Sequence, residues 1–130
     1  MVKNDHRTTA IYCRVAKVDK FAIELQEESM IAFAKKQGYS NLVSYIDNGF
    51  SGLNFDRPAF SNLVSDIETG KVKTVITHSV ERIGRNLIET GKWLEWLNHQ
   101  GIDFATKDVM PCDYPIFAVL YARLESIKYL

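Results

Sequence analysis

The 130-residue chain is short of several things, and each shortage excludes a class of protein. Its 2 cysteines, Cys13 and Cys112, lie far apart in no CxxC pattern, so there is no disulfide framework and a reduced, cytoplasmic setting is expected. His6, His78 and His99 stand at no ligand spacing to those thiols, so no metal site is expected. With 3 prolines and 7 glycines, the chain is neither collagenous nor of low complexity. The longest apolar run, Ile116 to Ala122, falls far short of the roughly 20 residues that cross a bilayer. The opening MVKNDHRTTA lacks the apolar core of a signal peptide. Charge of one sign is missing too: 16 basic and 16 acidic side chains cancel. That argues against a protein whose main task is gripping the DNA backbone, yet leaves room for a local group of arginines. What is present is a 46% hydrophobic chain of single-domain size, able to bury a core.

Two periods alternate along it. TTAIYCRVA (Thr8–Ala16) reads as a first strand, and Ile23, Gln26, Met30, Phe33 and Ala34 then share a helical face that Gly38 closes. LVSYID (Leu42–Asp47) is a second strand, followed by the loop NGFSGLNFDR. Pro58 opens a second helix striped by Phe60, Leu63, Val64 and Ile67 and closed by Gly70. VKTVIT (Val72–Thr77) is a third strand. After HSVERIGRN, a helix runs through Leu87, Gly91, Leu94 and Leu97, then IDFAT (Ile102–Thr106) forms a fourth strand and PIFAVLYARLESIKYL a last helix. Such alternation predicts an α/β fold with a parallel sheet covered by helices, its function at the carboxyl ends of the strands.

Four arginines belong near those ends: Arg14 in the first strand, Arg57 in the loop, and Arg82 and Arg85 after the third. Arg82 and Arg85, three apart, would share a face of a helical turn. Guanidinium forks match phosphate oxygens, so a phosphodiester is the natural ligand of such a group. A blander account makes each arginine a surface residue paired with an acid, as Glu81 and Arg85 at i,i+4 could be.

YCRVA at 12–16, IELQ at 23–26, YIDNGFSGLNFDRPAF at 45–60 and ERIGRN at 81–86 together resemble the N-terminal catalytic domain of the serine site-specific recombinases (resolvases, invertases and large serine integrases). The matches keep order and spacing from about residue 10 to 110. The resemblance implies a resolvase-like three-layer sandwich: a mainly parallel sheet of at least four strands with helices on both faces. It also implies DNA recombination by transesterification through a 5′-phosphoserine, with no metal, ATP or other cofactor. By the same resemblance, Arg14, Arg57, Arg82 and Arg85 would bind and activate the scissile phosphate, and Glu81 would assist the leaving group or orient an arginine. Tyr12, Gln26, Asp47 and Ser51 would line the site. Three of them have a plainer reading: Gln26 as a satisfied amide, Asp47 as a turn cap, Ser51 as turn chemistry.

The pattern breaks at its centre. The nucleophile position of the family is Ala16 here, and a methyl group does not attack phosphorus. By strand alternation Tyr12, Arg14 and Ala16 face together while Cys13 faces away, and Tyr12 lies roughly 13 Å back along the strand. Ser79 beside His78 has no orienting third group. Glu81 replaces the family's usual aspartate, and VAKVDKFA replaces a more polar run. Together these favour natural drift in a repurposed copy over an engineered change.

Ile116, Val119, Leu120, Leu124 and Ile127 stripe the last helix, while Phe117 and Tyr121 add apolar surface on another side. The expected organisation is a catalytic domain over 1–114 and the start of a dimerisation or linker helix over 115–130, with a homodimer or tetramer as the assembly. Trp93 and Trp96 are open between core and interface. Nothing here reads as a helix-turn-helix or zinc-ribbon module, so the main DNA-binding region is expected outside this chain. Two functions follow: a serine recombinase catalytic domain of a mobile element, silent for want of a serine, or a non-catalytic dimerising module that modulates an active recombinase. A receiver domain ranks low, because Ala16-Lys17 stands where its acidic pair would be.

Overall fold

The computed structural model describes residues 6–108. Four strands, β1 (Thr8–Val15), β2 (Leu42–Asn48), β3 (Val72–Thr77) and β4 (Asp103–Thr106), form one parallel sheet in the order β2-β1-β3-β4. The helices are α1 (Lys20–Lys36), α2 (Pro58–Glu68), the short α3 (Val80–Ile83) and α4 (Leu87–His99).

The first crossover steps from β1 to β2, and the later ones step the other way. With crossovers of one hand, that reversal sends α1 to one face and α2 and α4 to the other. Burial agrees. Ile11 and Cys13 of β1 pack with Ile23, Met30 and Ala34 of α1. Ala10 and Tyr12, on the opposite face, pack with Phe60, Leu63 and Ile67 of α2 and Trp93, Leu94 and Leu97 of α4. The result is the three-layer α/β sandwich expected from the alternating periods.

Each long helix starts where the chain supplies a cap. The Asp19 carboxylate accepts from the Ala22 N–H at 2.9 Å, and the Asn86 side chain accepts from Ile88 and Glu89 at 3.1 Å each. The cap of α2 comes from outside the helix. Arg57 at its N-cap offers no side-chain bond, and the carboxylate of Asp47, at the end of β2, accepts from Ala59 at 2.9 Å and Phe60 at 3.0 Å.

Several expectations change. β1 ends at Val15, so Ala16 is the first residue beyond the strand, and alternation no longer sets its direction. Arg82 and Arg85 do not share a helical turn, because α3 ends at Ile83 and Gly84 runs extended at φ 179°. Leu87, placed on the buried stripe of α4, is 46% exposed. Thr90 and Trp93 take that face instead. Trp93 belongs to the core, its ring centroid 5.0 Å from that of Phe60, and Trp96 packs on the same cluster. Cys112 and the apolar residues Ile116, Phe117, Val119, Leu120, Tyr121, Leu124 and Ile127 lie outside the described residues. Among the described residues no helix is long and apolar enough to cross a membrane.

Leu63 is fully buried between α2 and the sheet, whereas Ile88 is 67% exposed. Leu63→Ala should lower unfolding free energy by about 2–5 kcal/mol in urea titrations, and Ile88→Ala by less than about 0.5 kcal/mol.

Candidate functional site

In an open parallel sheet the crevice forms where the strand order reverses, here between the carboxyl ends of β1 and β3. Pairing of β1 with β3 stops at Tyr12 opposite Thr77, leaving the Arg14 backbone without a strand partner on that side. Gln26 fills the gap from α1. Its Oε1 accepts from the Arg14 N–H at 3.0 Å, and its Nε2 donates to the Arg14 carbonyl at 3.2 Å. The polar member of an apolar stripe thus does the work of one missing strand residue, and it fixes where the Arg14 side chain departs.

That side chain is 1% exposed. Its Nε donates to the Arg82 carbonyl at 3.0 Å, Nη1 to the Phe50 carbonyl at 3.0 Å and Nη2 to the Glu81 carbonyl at 2.7 Å. Arg57 is fully buried. Its Nη1 donates to the Tyr12 hydroxyl at 2.9 Å and to the same Arg82 carbonyl at 3.1 Å, its Nη2 to the Ile83 carbonyl, and its Nε to the Asn54 carbonyl at 3.2 Å. The rings of Phe60, Phe55 and Tyr12 surround the guanidinium, with centroids 4.5, 4.9 and 5.6 Å from Cζ. Two buried cations therefore hold the last three carbonyls of α3, groups that a helix end leaves unsatisfied.

Tyr12 links this pair to Asp47. Its hydroxyl accepts from Arg57 and donates to the Asp47 carboxylate at 2.7 Å. Burial above all, then the bond to Asp47, pushes the Tyr12 phenol up, so it stays protonated. Asp47 is 1% exposed and also caps α2, so the plain capping role foreseen for it is present, directed at a helix rather than a turn.

Arg82 is half-buried, its Nε shielded from solvent without a hydrogen-bond partner, and Arg85 is exposed. Among the described residues no ion pair joins Glu81 to Arg85. Instead the Arg85 N–H donates to the Gly52 carbonyl at 2.7 Å, drawing the loop after β2 against the segment after α3. A β-carbon on Gly52 would lie 2.6 Å from Arg14 Nη2 and 3.2 Å from Arg85 Cγ, so the absent side chain is what lets the loop pass close to both arginines. Burial first, then the neighbouring charges of Arg57, Arg82 and Arg85, lowers the Arg14 pKa from its ordinary value. Arg14 thus feels three other cations at one strand end. That arrangement favours an anion.

The remaining residues lie at the rim. Ala16 is exposed, two residues beyond Arg14. Ser51 is exposed and its Oγ accepts from the Leu53 N–H at 3.0 Å, which is local turn chemistry. Glu81 has an exposed side chain and contributes its carbonyl to Arg14. Cys13 points into the α1 face, and burial pushes its thiol up to about 12, Glu27 adding to the rise and Arg82 opposing it. Sequence reasoning missed the aromatic box around Arg57 and the carbonyls of Phe50 and Asn54. Only the crowded FSGLNF loop hinted at either.

A family model described as "Resolvase, N terminal domain" matches residues 9–125. The chain belongs to the resolvase N-terminal domain family. This resolvase domain is similar to a Bacillus subtilis (strain 168) protein named "Putative DNA recombinase", 35% identical over 80 residues. That stretch is 61% of the present chain and only 16% of the relative. It is also similar to "Uncharacterized immunity region protein 3" of Bacillus phage phi105, 29% identical over 82 residues, 60% of this chain and 95% of the phage protein. Among solved structures, the N-terminal catalytic domain of TP901-1 integrase matches at a TM-score of 0.76 and 25% identity, covering 95% of this chain and 98% of that one.

Gly52→Ala should push the Arg14 guanidinium off its carbonyls and lower stability by about 1–3 kcal/mol in urea titrations. A change below about 0.5 kcal/mol would show that the close approach is not needed. The raised Cys13 and Tyr12 groups bind protons more tightly folded than unfolded, so stability is full below the unfolded values of 9.0 and 10.0 and falls as pH climbs above them. The urea midpoint should hold up to about pH 9 and drop from there toward about pH 12, and Cys13→Ala should flatten the first part of that fall.

Proposed function

We propose that this domain holds a DNA phosphodiester on its arginine cluster and is the catalytic unit of a serine recombinase of a mobile element, silent as written because Ala16 occupies the nucleophile position. The supporting observation is the convergence of Arg14, Arg57, Arg82 and Arg85 at the end of β1, with no carboxylate paired to any of them among the described residues. In the family reaction a serine oxygen attacks phosphorus, joins the 5′ end and releases the 3′ oxygen, which takes up a proton. Guanidiniums stabilise the charge that grows on the phosphoryl oxygens in between. On this reading Glu81 aids the leaving oxygen or an arginine, and Tyr12, Gln26, Asp47 and Ser51 shape the pocket. On the same reading residues 1–114 form the catalytic domain, and 115–130 serve to pair subunits into dimers or tetramers.

A second reading is a non-catalytic module that pairs with an active recombinase and modulates it. The phage phi105 relative favours it, because the stretch it shares with this chain is nearly its whole length.

Restoring the hydroxyl separates the two. Fused to a DNA-binding module that brings it to a recombination site, the chain carrying Ala16→Ser should give a detergent-resistant protein–5′-DNA adduct, while the same fusion with Ala16 gives none. A folded serine variant that forms no adduct would overturn the silenced-enzyme reading. Sedimentation showing only monomer at high concentration, with no association with an active relative, would remove the module reading.

A further inference from the structure

The four arginines divide into two kinds. Arg57 uses four of its five N–H groups on protein acceptors, is fully buried, and sits within a box of three aromatic rings. A phosphate oxygen would have to displace a carbonyl or a ring to reach it. Arg82 and Arg85 differ: their backbones are anchored, and no side-chain hydrogen bond is made by either among the described residues.

We propose that Arg57 is a positioning residue, acting on the phosphate only through Arg82, whose carbonyl it holds. The proposal rests on the reading of the cluster as a phosphodiester site. A continuous line of hydrogen bonds supports it, from the α2 N-terminus through Asp47 and the Tyr12 hydroxyl to Arg57, and on to the carbonyls of Arg82 and Ile83. The line fixes α3 against the sheet, and α3 is only four residues long, with few bonds of its own. Without that hold, the backbone that aims the Arg82 side chain loses its anchor. The charge of Arg57 then matters less than its fork. A lysine has three donors on one atom and does not reach acceptors at Tyr12, Asn54, Arg82 and Ile83 together.

Two measurements on the 130-residue chain test this. Amide hydrogen exchange reads the hold directly: Arg57→Lys should speed exchange at Arg82, Gly84 and Arg85 at least tenfold while β1 and β3 amides stay protected. Tyr12→Phe, which keeps every charge and removes one acceptor of Arg57, should raise the same three amides by a smaller factor, and it serves if the lysine variant does not fold. Unchanged exchange in either folded variant overturns the proposal. Anisotropy with a short fluorescent DNA duplex at low salt reads the consequence. Arg82→Gln should weaken binding and reduce the salt slope by about 0.9, the value of one phosphate contact. Arg57→Lys should do the same, and the double variant should be no worse than Arg82→Gln alone. Full additivity, or a slope left intact by lysine, makes Arg57 a direct ligand and overturns the proposal. Failure of the unaltered chain to bind the duplex at low salt would instead sink the phosphodiester reading, with the exchange result still deciding the hold.

Discussion

The site depends on one constraint: two arginine side chains taken out of water must find acceptors for nearly every N–H they carry. Desolvating a guanidinium costs several kcal/mol unless its donors are satisfied. In this chain the acceptors are the carbonyls of Glu81, Arg82 and Ile83 at the end of α3, together with Phe50 and Asn54 from the loop after β2. The cost of burial and the unsatisfied end of a short helix thus cancel each other. Loop and helix are drawn to the strand that carries Arg14, and the geometry of the site is a by-product of neutralising those donors.

Topology decides where this happens. The reversal of strand order beside β1 leaves its last residues unpaired on the β3 side, and that opening admits Gln26 from one face and the α3 segment from the other. A continuous ladder there would have placed Arg14 in the middle of a sheet, with no loop carbonyls in reach. Gly49 contributes at the same edge. It adopts φ +95°, and a β-carbon would come within 2.6 Å of the Val18 side chain, so the chain turns tightly enough to bring Phe50 under Arg14.

Much of this was legible in the sequence. Strand and helix periods placed all four strands and the three long helices, because burial of one face imposes those periods. The arginines were legible as a group, because their segments end on the same edge of the sheet. Their division into buried and open members was not. An arginine letter carries the same charge whether it faces carbonyls or solvent, and only the fold supplies the three rings around Arg57. Gln26 was visible as an oddity on an apolar stripe, but its acceptor, a backbone lacking a ladder partner, exists only once strand order is known. The break at Gly84 was masked by the i,i+3 spacing of Arg82 and Arg85, which mimics a helical face.

Alanine at position 16 sits comfortably in such a scaffold. Ala16 is exposed and lies beyond the strand, so its side chain takes no part in the Arg14, Arg57, Tyr12 and Asp47 network. Those four residues stabilise the fold whether or not a phosphate is ever cleaved, since removing one would leave its buried partner without a hydrogen bond. Their presence is therefore weak testimony to chemistry. Arg85 is different in kind: its backbone N–H ties it to Gly52, but its side chain is exposed and holds nothing among the described residues. A positive side chain whose charge acts on Arg14, and which gains no structural bond in return, is what the anion-binding reading proposed above accounts for.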